Sequence, residues 1–129
     1  MKKKSISIFG VTGSVGSSTI ELLRQRKDEF EVIALTCNKN IDLLLELSQE
    51  FQPKSIAVSD ENFFLELKKR AGNNFKCFGG KEGLKDIANL HSDIVVASIV
   101  GLAGLSPLLC SIKNSSVINI ANKECIVAA

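Results

Sequence analysis

Ser5-Ile6-Ser7-Ile8-Phe9-Gly10-Val11-Thr12-Gly13-Ser14-Val15-Gly16 is the stretch on which the reading of this chain turns. Residues 5–9 alternate and then run apolar into glycine, the pattern of a strand. From Val15 to Lys27, Thr19, Ile20 and Leu23 fall on one side at helical spacing, while Arg24, Gln25 and Lys27 fall elsewhere. Gly10, Gly13 and Gly16 stand between strand and helix in a G-x-x-G-x-x-G array. Glycine at these places permits a tight turn, close approach of backbone to a diphosphate, and close contact of helix with strand. The helix start then aims free N–H groups and the positive end of its dipole at an anion. Thr12 and Ser14 add hydroxyl donors. The spacing is looser than G-x-G-x-x-G, and a purely structural turn is the plain alternative. A P-loop is excluded, because Ser17 follows Gly16 and no lysine is placed to reach a phosphate.

Outward from this turn, strand-like and helix-like segments alternate. Glu31–Leu35 is apolar and β-branched, a second strand; Asn40 is placed to cap a helix over Ile41–Phe51, with Leu44, Leu47 and Phe51 inward and Pro53 as its stop. Ser55–Val58 reads as a third strand. Asp60 is placed to cap a helix running to Ala71, with Phe63, Phe64 and Leu67 inward and Lys68, Lys69 and Arg70 in its last turn. Lys76-Cys77-Phe78 reads only as a short extended piece, followed by Gly79-Gly80 and a weak helix to Leu90. Ile94–Ser98 is a doubly buried strand, Ser106-Pro107 opens a helix to Lys113, and Val117–Ile120 is the fifth and last strand. Apolar strands separated by helices imply right-handed crossovers and a parallel sheet covered on both faces. The expected fold is a single α/β domain, a doubly wound parallel sheet of the Rossmann-like kind, whose ligands bind beyond the carboxyl ends of the strands.

Composition narrows the partners. The chain has 129 residues, 16 Lys+Arg against 14 Asp+Glu and a formal charge of +2. That near balance argues against nucleic acid as the main partner. With 45% hydrophobic and 23% charged residues it is ordinary for a globular domain. No apolar run approaches the roughly 18–20 residues of a membrane span. Met1-Lys2-Lys3-Lys4 is followed by too short an apolar stretch for a signal peptide, so the expected compartment is the cytoplasm. Cys37, Cys77, Cys110 and Cys125 form no CxxC pair, which leaves no zinc signature and four free thiols as the plain reading. The absence of tyrosine excludes a tyrosine acid or base from this chain, and the lone His91, in a polar connector, makes a Ser-His-Asp triad a poor fit.

Two further stretches carry chemistry. A domain selective for NAD usually places an acid at the end of its second strand to bind the ribose 2′-OH. Here that stretch is Thr36-Cys37-Asn38-Lys39-Asn40, with no acid in it. A lysine attracts a 2′-phosphate and asparagine amides can donate to it, which points to NADP(H), against the alternative of a solvated loop lysine. Asn122-Lys123-Glu124 follows the last strand, where substrate or nicotinamide would sit; an ordinary exposed pair is the alternative. The small residues of Ile99-Val100-Gly101-Leu102-Ala103-Gly104 allow close passage of a cofactor or simply turn the chain.

Together, Gly10–Gly16, Asn38-Lys39-Asn40, Ile99-Val100-Gly101 and Ala121-Asn122-Lys123-Glu124 closely resemble the amino-terminal NADPH-binding domain of the 1-deoxy-D-xylulose 5-phosphate reductoisomerase family. The resemblance runs the whole chain, residues 1–129. It implies an NADP-dependent oxidoreductase that rearranges 1-deoxy-D-xylulose 5-phosphate and reduces the resulting aldehyde to 2-C-methyl-D-erythritol 4-phosphate, a step of non-mevalonate isoprenoid biosynthesis. It implies that Thr12, Gly13, Ser14 and Val15 line the cofactor phosphates and that Asn38, Lys39 and Asn40 hold the 2′-phosphate region. It further implies that Asn122 and Glu124 contact NADPH and that Lys123 reaches the phosphosugar substrate. Asn38 stands where the family often has a small residue. The family's divalent metal, magnesium or manganese, is held by carboxylates of a following domain, so no metal ligand and no catalytic residue is assigned here. The catalytic and carboxy-terminal domains of the family are expected to be absent from this chain, which alone should turn nothing over; the full-length protein is expected to be a homodimer.

Two rival readings accompany that resemblance. One is an NADP-dependent semialdehyde or acyl-phosphate reductase, which would use Cys125 as nucleophile with Lys123 to lower its pKa. The other is a non-catalytic nucleotide-sensing module, which would have no need of a substrate-facing Asn122-Lys123-Glu124 cluster.

Overall fold

The computed structural model of the chain describes residues 3–90, 92–97 and 115–120. The strand β1, Lys4–Phe9, leads through the glycine turn into the helix α1, Ser14–Gln25, which stops short of the expected Lys27 because Lys27–Glu29 tighten into a 3-10 turn. Next come β2 (Phe30–Cys37), α2 (Ile41–Phe51) and β3 (Ser55–Val58), then a 3-10 turn over Glu61–Phe63 and α3 (Phe64–Ala71). The chain continues through β4 (Lys76–Gly79), α4 (Gly80–Ala88), β5 (Ser92–Ala97) and β6 (Ser115–Ile120). The expected helix over 107–113 lies outside the described residues.

All pairings are parallel, and the strand order is β4-β3-β2-β1-β5-β6. The chain works outward from β1 to β4 and then returns to the other side of β1, so the order reverses between β1 and β5. That reversal is the switch point of a doubly wound sheet, the place where ligands of such folds bind, beyond the carboxyl ends of the strands. The expectation of five strands is corrected to six among the described residues. Lys76–Gly79, read from sequence as a short extended piece, pairs with β3 from Ser55↔Lys76 to Val58↔Gly79 and forms the sheet edge.

Helical sidedness follows from this order. α1, α2 and α3 cross in one direction and cover one face, packing Ile20, Leu23, Leu44, Leu47 and Leu67 onto Ile6, Ile8, Leu35, Ile56 and Val58. α4 crosses back and covers the other face, with Leu84 and Ile87 against Phe9, Ile33, Ala57 and Val95. Leu44 and Leu67 are completely buried. Burial of each such side chain stabilises the fold by roughly 1.5–3 kcal/mol. A bulge in β2 sets its side chains: Ile6 pairs with Val32 but Ser7 with Ala34, so Ile33 is the additional residue. Ile33 and Ala34 both face α4, and Leu35 and Cys37 then point toward α1–α3.

Local signals place the ends of these elements. Asn40 caps α2, its Oδ1 accepting from the Leu43 N–H at 3.2 Å, and Gln52 ends the helix in the left-handed region before Pro53. Asp60 does act as a cap, but of the 3-10 turn: its carboxylate accepts from the Asn62 N–H at 3.0 Å, and α3 begins later than expected, at Phe64. At the opposite ends of the strands, Asp93 accepts from the Ser5 N–H at 3.0 Å while Ser5 Oγ accepts from the Asp93 N–H at 2.8 Å, a reciprocal clasp of β1 to β5. Among the described residues no helix is long and apolar enough to cross a membrane.

Candidate functional site

The carboxyl ends of the strands lie in one row. Parallel register sets Ile120 beside Ala97, Ala97 beside Phe9, Phe9 beside Thr36, and Thr36 beside Ala57. The glycine turn leaves from this row at Phe9, the 38–40 stretch one residue beyond it in β2, and Ser59-Asp60 from β3.

Gly10 turns the chain at φ 92°, a conformation that favours glycine. Thr36, buried at the end of β2, holds it there: its carbonyl accepts from the N–H groups of Gly10 at 3.2 Å and Val11 at 2.9 Å, and its Oγ1 accepts from Gly10 N–H at 3.0 Å. Val11 is buried beneath the turn and Thr12 is exposed. Gly13 is the N-cap of α1, has no side chain to satisfy the first-turn amides, and no acid stands in that turn. The first intrahelical bond runs from Ser17 N–H to the Gly13 carbonyl at 2.8 Å. The backbone of Ser14 and Val15 opens the helix, and their side chains lie outside the described set. Gly16 is required by contact: a Cβ there would overlap the Gly10 carbonyl oxygen and sit 3.0 Å from the Val11 Cα. The helix start is thereby drawn onto the turn, with polar N–H groups and the helix dipole facing the crevice.

Asn38, Lys39 and Asn40 are all exposed, directly beyond β2. Asn40 spends its Oδ1 on the helix cap, leaving its amide N–H groups as donors. Ser59 of the neighbouring connection donates from Oγ to Asn38 Oδ1 at 3.0 Å, and the Asp60 N–H donates to the Asn38 carbonyl at 3.0 Å. Lys39 Nζ stands 4.0 Å from Asp60 Oδ2. The stretch itself lacks an acid, as the sequence shows, but the fold supplies one from β3's exit. Thr36, Ser59 and Asp60 were the residues that sequence reasoning did not assign to the site. The signal available for Ser59 and Asp60 was their position just past a strand's carboxyl end.

Asn122, Lys123 and Glu124 lie outside the described residues, as do Ile99–Gly104, His91 and Cys125. Ile120, in register with Ala97, is the described residue that leads toward them. Two surface depressions, of about 210 Å³ beside Phe30 and Phe51 and about 420 Å³ beside Phe75 and Cys77, lie at the amino-terminal edge of the sheet and do not border the glycine turn. Among the described residues no group of three or more His, Cys, Asp or Glu side chains is arranged to hold a metal ion.

Cys37, at the end of β2, is buried, and burial pushes its thiol up to about 12. Cys77 is half-buried; burial raises it and Lys68 partly offsets that. Since the thiolate is the nucleophile, iodoacetamide at pH 8 is expected to label Cys77 well before Cys37 in the folded chain, with the difference gone in denaturant. Peptide mass mapping reads the order. Labelling of Cys37 first would contradict its burial.

The model of the 1-deoxy-D-xylulose 5-phosphate reductoisomerase family matches residues 6–129. The chain belongs to this family. A 1-deoxy-D-xylulose 5-phosphate reductoisomerase of Clostridium perfringens (strain 13 / Type A) is 42% identical over 130 residues, 98% of this chain and 34% of the relative. That of Wolbachia pipientis subsp. Culex pipiens is 43% identical over 126 residues, 96% of this chain and 32% of the relative. The reductoisomerase of Zymomonas mobilis, solved in complex with NADPH, superposes with a TM-score of 0.93 at 30% identity, over 99% of this chain and 34% of that one. A reductoisomerase solved with NADPH, fosmidomycin and magnesium gives 0.88 at 38% identity, over 96% of this chain and 31% of that one. This chain thus spans about a third of the length of its reductoisomerase relatives. Membership in the reductoisomerase family disfavours the semialdehyde or acyl-phosphate reductase reading and its Cys125 nucleophile.

Proposed function

We propose that this chain binds NADPH across the carboxyl ends of β1 and β2, as the cofactor domain of an enzyme that rearranges and reduces 1-deoxy-D-xylulose 5-phosphate to 2-C-methyl-D-erythritol 4-phosphate. The observation that carries this reading is the turn itself: Gly10 held by Thr36 and Gly16 pressed onto Gly10, with an uncapped, acid-free helix start above them. Such a cradle suits a diphosphate because it offers amide donors without an opposing charge. The NADPH named for the Zymomonas mobilis relative supports the same assignment.

In this reading Thr12, Gly13, Ser14 and Val15 hold the cofactor phosphates, and Asn38, Lys39 and Asn40 hold the adenosine 2′-phosphate. Asn122 and Glu124 contact the cofactor and Lys123 reaches the phosphosugar. NADPH, when bound, supplies the hydride for the reduction. The chain's own part is to bind and orient it. In the same reading the magnesium or manganese of the reaction is held by carboxylates of a following domain; among the described residues no group of three or more candidate ligands is gathered. Homodimerisation and a cytoplasmic location belong to the same proposal.

Calorimetric titration of the chain with NADPH and, in parallel, NADH tests it. One charge-assisted contact to the 2′-phosphate is worth about 1.5–3 kcal/mol, so NADPH is expected to bind at least about tenfold tighter. Equal affinities would overturn the 2′-phosphate assignment, and binding of neither would overturn the cofactor assignment.

A further inference from the structure

Asp60 sits within reach of the cation that the proposed 2′-phosphate subsite depends on. Its Oδ2 is 4.0 Å from Lys39 Nζ, beyond the roughly 2.7–3.2 Å of an N–H···O hydrogen bond. The pair therefore does not fix the lysine's direction; it lowers the positive potential around it. We infer that Asp60 is a specificity-determining residue that competes with the 2′-phosphate for Lys39, and so limits the preference for NADPH over NADH. This inference rests on the cofactor reading above.

The carboxylate is held where it stands. Its other oxygen accepts from the Asn62 N–H at 3.0 Å, closing the 3-10 turn. Behind it the two connections are laced together: Ser59 N–H donates to the Cys37 carbonyl at 2.9 Å, Ser59 Oγ to Asn38 Oδ1 at 3.0 Å, and Asp60 N–H to the Asn38 carbonyl at 3.0 Å. An arriving phosphate cannot turn the carboxylate aside without breaking its bond to the Asn62 N–H, and the laced connections keep the Asp60 backbone in place. Lys39, by contrast, has a mostly exposed side chain, 66% against 20% for Asp60, and is free to turn its ammonium toward a phosphate. Loss of Asp60's charge then leaves Lys39 with the phosphate as its only anionic partner of this pair. Glu61, next in the turn, packs its side chain over Gly80 and so serves as a control acid.

Asp60→Asn keeps the Oδ1 that caps the turn and removes the charge. Exposed ion pairs correspond to changes of up to about fivefold in affinity. Titration of the wild-type chain, Asp60→Asn, Glu61→Gln, Lys39→Gln and the Lys39→Gln/Asp60→Asn double variant with NADPH and NADH is the test, with a thermal melt to check folding. The expected result is a Kd for NADPH about threefold lower in Asp60→Asn, an unchanged Kd for NADH, a smaller change in Glu61→Gln, and a gain that shrinks in the Lys39→Gln background. Weaker NADPH binding in Asp60→Asn, an unchanged NADPH-to-NADH ratio, or an equal gain in Glu61→Gln would overturn the inference. An undiminished gain without Lys39 would overturn the coupling to that residue. A wild-type chain with no preference for NADPH would instead overturn the 2′-phosphate assignment beneath it, and one that binds neither cofactor would overturn the cofactor reading.

Discussion

Gly16→Val is expected to abolish NADPH binding and to lower the melting temperature by roughly 10 °C, a loss of about 3 kcal/mol. Helix propensity alone predicts the opposite sign. Gly16 lies inside α1, and replacing a helical glycine normally stabilises by up to about 1 kcal/mol. Contact decides against it: any Cβ at this position would overlap the Gly10 carbonyl oxygen and press on the Val11 Cα, both backbone atoms. Relief requires α1 to lift away from the turn or the turn to leave its bonds to Thr36. Either movement displaces the amides proposed to meet the cofactor phosphates. Gly16→Ala is expected to show the same effect in lesser degree. The two readouts separate the causes, because circular dichroism below the melt follows the fold and calorimetry follows the cradle. A folded Gly16→Val chain with wild-type affinity for NADPH would remove the glycine turn from the cofactor site.

What sequence could and could not reveal follows from how far apart the cooperating residues stand. The bounds of α2, Ile41–Phe51, and of β3, Ser55–Val58, were legible because their determinants are local: the Asn40 cap, the spacing of Leu44 and Leu47, and the break at Pro53. The glycine turn was legible for the same reason. β4 was not fully legible, because Lys76-Cys77-Phe78-Gly79 has little strand character of its own and owes its form to pairing with β3. The β2 bulge at Ile33 has no sequence mark within an apolar run; it shows only in the register against β1. Local reading also took the absence of an acid in Thr36–Asn40 as the whole electrostatic setting of Lys39. Parallel pairing of β2 with β3 then carries Asp60 beside it from 21 residues further along the chain. Thr36 was within the quoted stretch, but its task of holding Gly10 depends on the register Phe9↔Thr36.

Lys39→Glu is expected to weaken NADPH binding on the order of 100-fold and to leave NADH within about twofold of wild type, reversing or abolishing the preference between them. The substitution removes a cation proposed to meet the 2′-phosphate and places a second carboxylate beside Asp60, 4.0 Å from the ammonium it replaces. Both changes act on the charge that distinguishes the two cofactors, whereas the diphosphate cradle at Gly10–Gly16 is common to both. The fold should tolerate the change, since Lys39 is exposed and its backbone carbonyl, not its side chain, accepts from Ile41 N–H at 2.8 Å. The remaining difference should also depend on salt: the wild-type preference for NADPH is expected to fall as ionic strength rises, because the contact is open to solvent. A flat preference across salt would point to shape rather than charge as its source. Equal losses for NADPH and NADH in Lys39→Glu would show that this lysine supports the site as a whole and does not read the 2′-phosphate.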